Sequence, residues 1–203
     1  MEHPSNTLGW GPGKSIFPVL TNVLKSGAKV LYSLLERMIE KVTDITIEET
    51  RAQIACMLNE LWHSRLPQIH WSNVVRPGRY ACYVFKYRQA VIGTGIWSRA
   101  VAGNRFKNEE EILELRRLAL SDVCPKNTAT FVLSKMAKLI KQKFPQVKRL
   151  ISYQDTAVHL GTIYKAANWT ATTDVPLLDW TNAKRKRNDL QSQSPKVRWE
   201  YQL

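Results

Sequence analysis

The feature that most constrains this chain is a repeated change in the period of its apolar residues. Some stretches alternate in twos and others recur in threes and fours. Residues 41–47 form a short β-prone run. Glu48 and Glu49 follow it, suited to the positive N-terminal end of a helix. That helix is expected to carry Ile54, Leu58, Leu61 and Trp62 on one face and to end at Pro67. Residues 80–85 and 90–97 read as two strands of a hairpin that turns within 86–89. Residues 113–120 read as another strand. A helix from Thr128 points Ala129, Val132, Leu133, Met136 and Ile140 inward and Lys135, Lys138 and Lys141 outward. A strand over 149–153, a short helix over 161–167 and a final strand over 197–201 complete the series. The order β-α-β-β-β-α-β-α-β predicts an α/β domain, a mixed sheet with a central antiparallel meander and flanking helices.

With 203 residues, 44% of them hydrophobic, the chain can bury one core and carry an extension. The domain is expected over 41–203, with a basic C-terminal segment around Lys184, Arg185, Lys186 and Arg187. Residues 1–40 are expected to form a basic arm followed by helical turns. Gly11, Gly13, Lys14 and Ser15 suggest a phosphate loop, but that motif needs a glycine at position 8, where Leu8 stands. The apolar runs are too short to span a bilayer, so no membrane partner is expected. No cationic stretch leads into an apolar run near the N-terminus, which argues against a secretory leader. Cys56, Cys82 and Cys124 are an odd number without metal-type spacing, which suits a reducing, cytoplasmic setting. Thirty Lys and Arg against 17 Asp and Glu give a formal charge of +13, which favours a polyanionic partner such as nucleic acid.

Two segments carry chemistry. In the first, strand 113–120 leads through a loop to Lys126, Asn127 and Thr128 at a helix start. Free backbone N–H groups and the helix dipole make such a junction an anion site. The same residues also suit an ordinary capped helix, with Asn127 or Thr128 as the cap. The second segment is Leu150-Ile151-Ser152-Tyr153-Gln154-Asp155, then His159-Leu160-Gly161-Thr162-Ile163-Tyr164-Lys165-Ala166-Ala167-Asn168-Trp169. Asp155 ends a strand, where ligands bind in open α/β sheets, although an aspartate there also caps turns.

The element order resembles that of the GNAT acyltransferase fold. The two segments together resemble the Mom family of phage DNA-modification proteins. The shared pattern is Leu-x-Arg-Leu, a Pro-Lys-Asn-Thr helix start, Ser-aromatic-x-Asp, and His-x-Gly-Thr-Ile-Tyr with Asn-aromatic. It covers about 60 residues; the first 40 and those past Asp174 lie outside it. The resemblance implies a GNAT-like transferase that converts adenine in DNA to an N6-modified form. That form is described as methylcarbamoyladenine, an acetamido-type change that shields phage DNA from host restriction in the bacterial cytoplasm.

The resemblance also implies roles for particular residues. Asp155 would take a proton from the adenine amine, and Tyr164 would protonate a departing thiolate. His63 would act as base, phosphate contact or metal ligand. Lys126, Asn127 and Thr128 would hold the donor's phosphates, and the backbone of Leu118 and Leu120 its acyl oxygen, in an acyl-CoA-type donor. This loop lacks the glycines usual in that fold. Ser152 and Tyr153 would line the base pocket, with Tyr153 stacking on a flipped or single-stranded adenine. His159 would position the Gly161 turn. Arg116 and Arg117, expected to alternate across their strand, would send one side chain to phosphate or ligand. Trp97, Arg99, Arg105 and Lys107 suit a DNA-facing loop, and Lys184 and Arg185 suit phosphate contacts. His63, Cys124, Asp155 and His159 share no ligand spacing, so a metal ion stays open, as does a homodimer. Two other readings remain: an N-acetyltransferase for a small amine or a protein, and a non-catalytic DNA-binding protein on the same scaffold.

Overall fold

The structure is a computed structural model. It describes residues 41–63, 66–76, 78–101, 106–175 and 194–203. The expected arm over 1–40, Arg105, Lys184 and Arg185 lie outside the described residues.

Among the described residues, seven strands form one sheet in the order β1-β2-β3-β4-β5-β7-β6. They are β1 (Ile45–Glu49), β2 (Tyr80–Tyr87), β3 (Ala90–Ser98), β4 (Ile112–Leu120), β5 (Arg149–Asp155), β6 (Thr170–Val175) and β7 (Lys196–Gln202). β1 to β4 are antiparallel neighbours, the expected meander. β4 and β5 are the one parallel pair among the described residues, and β7 lies antiparallel between β5 and β6. Four α-helices among the described residues flank the sheet: α1 (Ala52–Trp62), α2 (Trp71–Val75), α3 (Thr128–Lys143) and α4 (Thr162–Ala166).

The core lies mainly between the sheet and α3. Val132, Leu133, Met136 and Ile140 of α3 are fully buried against Phe85, Trp97, Leu113 and Leu150. Gly95 lets the helix come close, because a Cβ there would sit 2.5 Å from Met136 Sδ. The expected outward lysines Lys135, Lys138 and Lys141 are exposed, while Ala129 is only half-buried and Ala137 joins the core. On the other face, α1 and α2 cover β2 to β4 through Ala55, Cys56, Val74, Cys82 and Ile96.

Several expectations needed correction. α1 buries Ala52, Ala55, Cys56, Leu58 and Asn59, whereas Ile54 is exposed. The small residues set its buried face, because the helix lies close over Cys82 and Ile96. Glu48 and Glu49 end β1 rather than start α1; Glu48 pairs with Lys86 at 2.5 Å, and Glu49 pairs with Lys143. Trp97 is fully buried and donates from its indole Nε1 to Met136 Sδ at 3.2 Å, so it faces no ligand. Arg99 is held by Glu109. α2 and β6 were not expected. α2 is a five-residue turn capped by His70, whose Nδ1 accepts from the Ser72 amide, and β6 is a threonine-rich edge strand without apolar alternation. No described helix is long and apolar enough to cross a membrane.

Candidate active site

The site begins where two strands part. β4 pairs with β5 only from Ile112↔Arg149 to Leu115↔Ser152. β4 then continues to Leu120 and β5 to Asp155 without pairing to each other. A bulge in β4 coincides with the parting. Ile96 opposes Arg117 and Trp97 opposes Leu115, which leaves Arg116 as the extra residue. Bulges bend a strand and increase its twist, which carries β4 away from β5. Among the described residues, the backbone of Leu118 to Leu120 therefore has β3 on one side and no strand on the other.

The bulge also overturns the expected alternation of Arg116 and Arg117, which turn to the same face. Arg116 donates to Ser98 Oγ at 3.1 Å and lies 3.6 Å from the buried Glu114 carboxylate. Arg117 donates to Pro67 O at 3.2 Å and to Arg116 O at 2.7 Å, beneath the end of α1.

At the far end of the gap stands the N-terminus of α3. Asn127 occupies its cap position in the left-handed region, with φ 71°. Asparagine is one of the few residues besides glycine that adopt this conformation readily. This explains how a loop without glycine makes the turn. Asn127 is the cap residue, as one of the two expected candidates, but without a side-chain capping bond. No side chain caps the helix, and the Thr128 hydroxyl donates instead to Pro125 O at 2.7 Å. The first intrahelical bond is Phe131 N to Asn127 O at 3.0 Å, so the Ala129 and Thr130 amides precede the ladder. Lys126 is exposed beside them. Uncapped amides, the positive dipole end and a lysine together suit an anion.

Alternation along β5 divides the second motif between the two sides of the sheet. Ser152 and Gln154 face α3 and α4, while Tyr153 shares the opposite face with Ile151, Ile112 and Phe106. Ser152 and Tyr153 therefore do not line one pocket. Ser152 is buried, and its hydroxyl meets Tyr164 Oη at 2.9 Å. It is the last residue of β5 paired with β4, so the Tyr164 hydroxyl lies over the apex of the parting strands. Burial pushes the Tyr164 phenol up from its ordinary value, opposed by the Ser152 hydrogen bond. The ring stacks on Trp199 at 5.4 Å and 16°.

A network that the sequence did not disclose holds this tyrosine. Trp199 Nε1 donates to Gln154 Oε1 at 2.8 Å, and Gln154 Nε2 donates to His159 O. The Gly161 amide donates to His159 Nδ1 at 3.2 Å, the positioning role expected of this histidine. Burial lowers the His159 pKa, and Asp155 opposes that effect. Gly161 has φ 71°, and a Cβ there would lie 2.7 Å from Trp199 Cζ2. Only Trp199 lying three residues from the C-terminal Gln202 of β7 and in the ladder opposite Ser152 brings it here, a pairing that no local pattern encodes.

Asp155 ends β5 as expected and is half-exposed. Its Oδ1 accepts from the Ala157 amide at 3.0 Å, so it also has the turn-forming role.

His63 caps the C-terminal end of α1, with its amide bonded to Asn59 O at 2.8 Å. Its Nδ1 is buried without a hydrogen-bond partner among the described residues, as is Nε of Arg117. Burial first, and then the Arg117 charge, lower the His63 pKa. The imidazole is therefore neutral near pH 7 and can accept a proton. Among the described residues, no three His, Cys, Asp or Glu side chains come together to hold a metal ion. Cys124 instead donates to Ile92 O at 3.3 Å.

A model of the Mom protein family matches residues 44–193. No curated protein matches the chain. Solved acetyltransferases share its fold. The IAA acetyltransferase from Bacillus cereus ATCC 14579 is 13% identical with a TM-score of 0.54, over 78% of this chain and 99% of that one. A GNAT family acetyltransferase from Elizabethkingia anophelis with acetyl-CoA bound is 14% identical with a TM-score of 0.51, over 79% and 99%. Aminoglycoside acetyltransferase AAC(6')-Ib in complex with coenzyme A is 13% identical with a TM-score of 0.55, over 78% and 94%.

Proposed function

From the premise that the chain belongs to the Mom protein family, we propose that it is a transferase that places an acyl-type group on N6 of adenine in DNA. The observation that carries this reading is the parting of β4 from β5 beneath the Ser152–Tyr164 pair, with the uncapped end of α3 beside it.

The adenine amine is a weak nucleophile, because its lone pair is delocalised into the ring. It is uncharged at neutral pH, so it needs positioning and a proton acceptor rather than prior deprotonation. An acyl thioester, when bound, supplies an activated carbonyl carbon and a sulfur leaving group. Solved acetyltransferases of this fold with acetyl-CoA or coenzyme A bound support that donor class. The residues present fit it. The Ala129 and Thr130 amides at the start of α3, presented by the Asn127 turn, would hold its phosphates together with Lys126, whereas Thr128 is buried with its amide and hydroxyl both bonded to Pro125 O. The Leu118 to Leu120 backbone would donate to the acyl oxygen. Tyr164 would hand its proton to the departing sulfur, since burial keeps the phenol protonated. Asp155, on the opposite face of β5, would take the proton leaving N6, with neutral His63 as a second acceptor beside Arg117. One bond to sulfur breaks, one bond to nitrogen forms, and one proton passes from nitrogen to sulfur through the protein. The charge of +13 supports a nucleic-acid substrate. Duplex pairing hides N6, so the adenine must be unpaired or turned out of the stack.

Thiol release from acetyl-CoA by the purified protein tests the reaction. An adenine-containing single-stranded oligonucleotide should stimulate release. An oligonucleotide without adenine should not. Stimulation by a small amine alone would overturn DNA as the substrate.

A further inference from the structure

The turn between Asp155 and Gly161 displays apolar side chains to solvent on a firmly held backbone. Leu160 is 81% exposed and Val158 is 40% exposed. A single exposed leucine on a protein surface calls for no explanation. Here the backbone around it is fixed on every side. Val158 N and His159 N both donate to Asp155 O, at 3.1 and 3.3 Å. Thr156 is tied to Pro195 O by its amide at 3.2 Å and its hydroxyl at 2.9 Å. Gln154 Nε2 holds His159 O, and His159 Nδ1 holds the Gly161 amide, the two groups that bracket Leu160. The positive φ of Gly161 then turns the chain inward, packed on Gln154 and Trp199. Leu160 is therefore pinned outward at the tip of a turn whose first residue is Asp155.

Resting on the adenine-modification reading above, we propose that this turn is a DNA wedge. Leu160, with Val158 beside it, enters the base stack of duplex DNA and occupies the space vacated by the adenine that turns out toward Asp155. Apolar side chains inserted between base steps offset lost stacking and hold a distorted duplex open. A rigid turn suits that task, because little side-chain or backbone freedom is lost on insertion. The wedge and the carboxylate lie within one six-residue stretch, Asp155 to Leu160, so insertion and delivery of the base are geometrically linked. A single strand needs no wedge, and this separates the inference from the function it rests on.

The test uses the full chain and a set of duplexes in which 2-aminopurine, bright when unstacked, replaces adenine in different flanking contexts. Leu160 is exposed, so Leu160→Ser folds normally, and matched melting curves check this. The wild type should brighten at least one duplex at saturation. Leu160→Ser should lose most of that signal, about fivefold or more, and Leu160→Met should restore it. Modification of duplex DNA by Leu160→Ser should fall about tenfold, while that of a single strand should stay within about twofold. Equal brightening by Leu160→Ser and wild type would overturn the wedge, as would equal loss on duplex and single strand. If single strands are modified but no duplex brightens, the wedge is wrong and the function stands. If no adenine is modified at all, the function is wrong and the 2-aminopurine signal alone decides the wedge.

Discussion

Replacing Gly161 by alanine puts a methyl group where the chain has no room and twists the backbone where alanine resists it. Both costs can be worked out. An alanine held in the left-handed region loses about 1–2 kcal/mol. The new Cβ would also stand 2.7 Å from Trp199 Cζ2 and press on the Gln154 amide, both part of the buried network. Overpacking of that kind adds about 1–3 kcal/mol. The sum is about 2–5 kcal/mol, a large share of the roughly 5–15 kcal/mol that holds a domain together. For a chain of this length it lowers Tm by roughly 10 °C. Gly78 provides the control. It has φ 82°, yet nothing lies within 4 Å of its added Cβ. Gly78→Ala should thus cost only the backbone strain, about 1–2 kcal/mol. Thermal melts of both variants, followed by circular dichroism, give the comparison. Equal losses for the two would refute the packing argument, and with it the claim that Gly161 locks Gln154, Trp199 and hence Tyr164 in place.

The remaining predictions concern the site. Ser152→Cys, nearly isosteric but a weak hydrogen-bond partner, should lower kcat about tenfold with KM little changed, and Ser152→Thr should recover most of it. NMR of ring-labelled tyrosine should show the Tyr164 phenol moving further up in Ser152→Cys; an unmoved titration would remove Ser152 as its partner. Asn127→Gly should keep donor affinity while Asn127→Val, which resists a positive φ, should weaken it about tenfold by calorimetry; equal affinities would detach the α3 turn from donor binding. The His63 imidazole should titrate below 6.5 by NMR, and Arg117→Gln should raise it. A histidine that binds its proton less readily when folded contributes stability above that value, and the stability is lost as pH falls below it. A midpoint above 6.5 would contradict the burial argument.

Much of the fold was legible because it rests on period. The meander, α3 and the parallel crossover to β5 all follow from runs long enough to show alternation or helical spacing. What escaped was short, polar or dependent on distant partners. α2 is a single turn, and the threonines of β6 give an edge strand no apolar face to read. The face of α1 was misjudged because Ile54 outweighs Ala55 and Cys56 in hydrophobicity, yet close approach to the sheet selects the smaller pair. In the site, Asp155, Tyr164 and the α3 start were marked by their motif, but their arrangement was not. Strand alternation separates Ser152 from Tyr153, and the bulge brings Arg116 and Arg117 to one face. A bulge has no signature in this sequence. The hold on Tyr164 depends on Trp199, which reaches Ser152 through the β5–β7 ladder.

The central claim is that adenine in DNA is the acceptor. Nucleoside digestion and mass spectrometry of DNA from cells producing the protein test it most directly. The account predicts a heavier adenosine whose extra mass stays with the base, and its loss in cells producing Asp155→Asn at equal protein levels. Unmodified adenosine, with the folded wild-type protein present and its donor supplied, would contradict it.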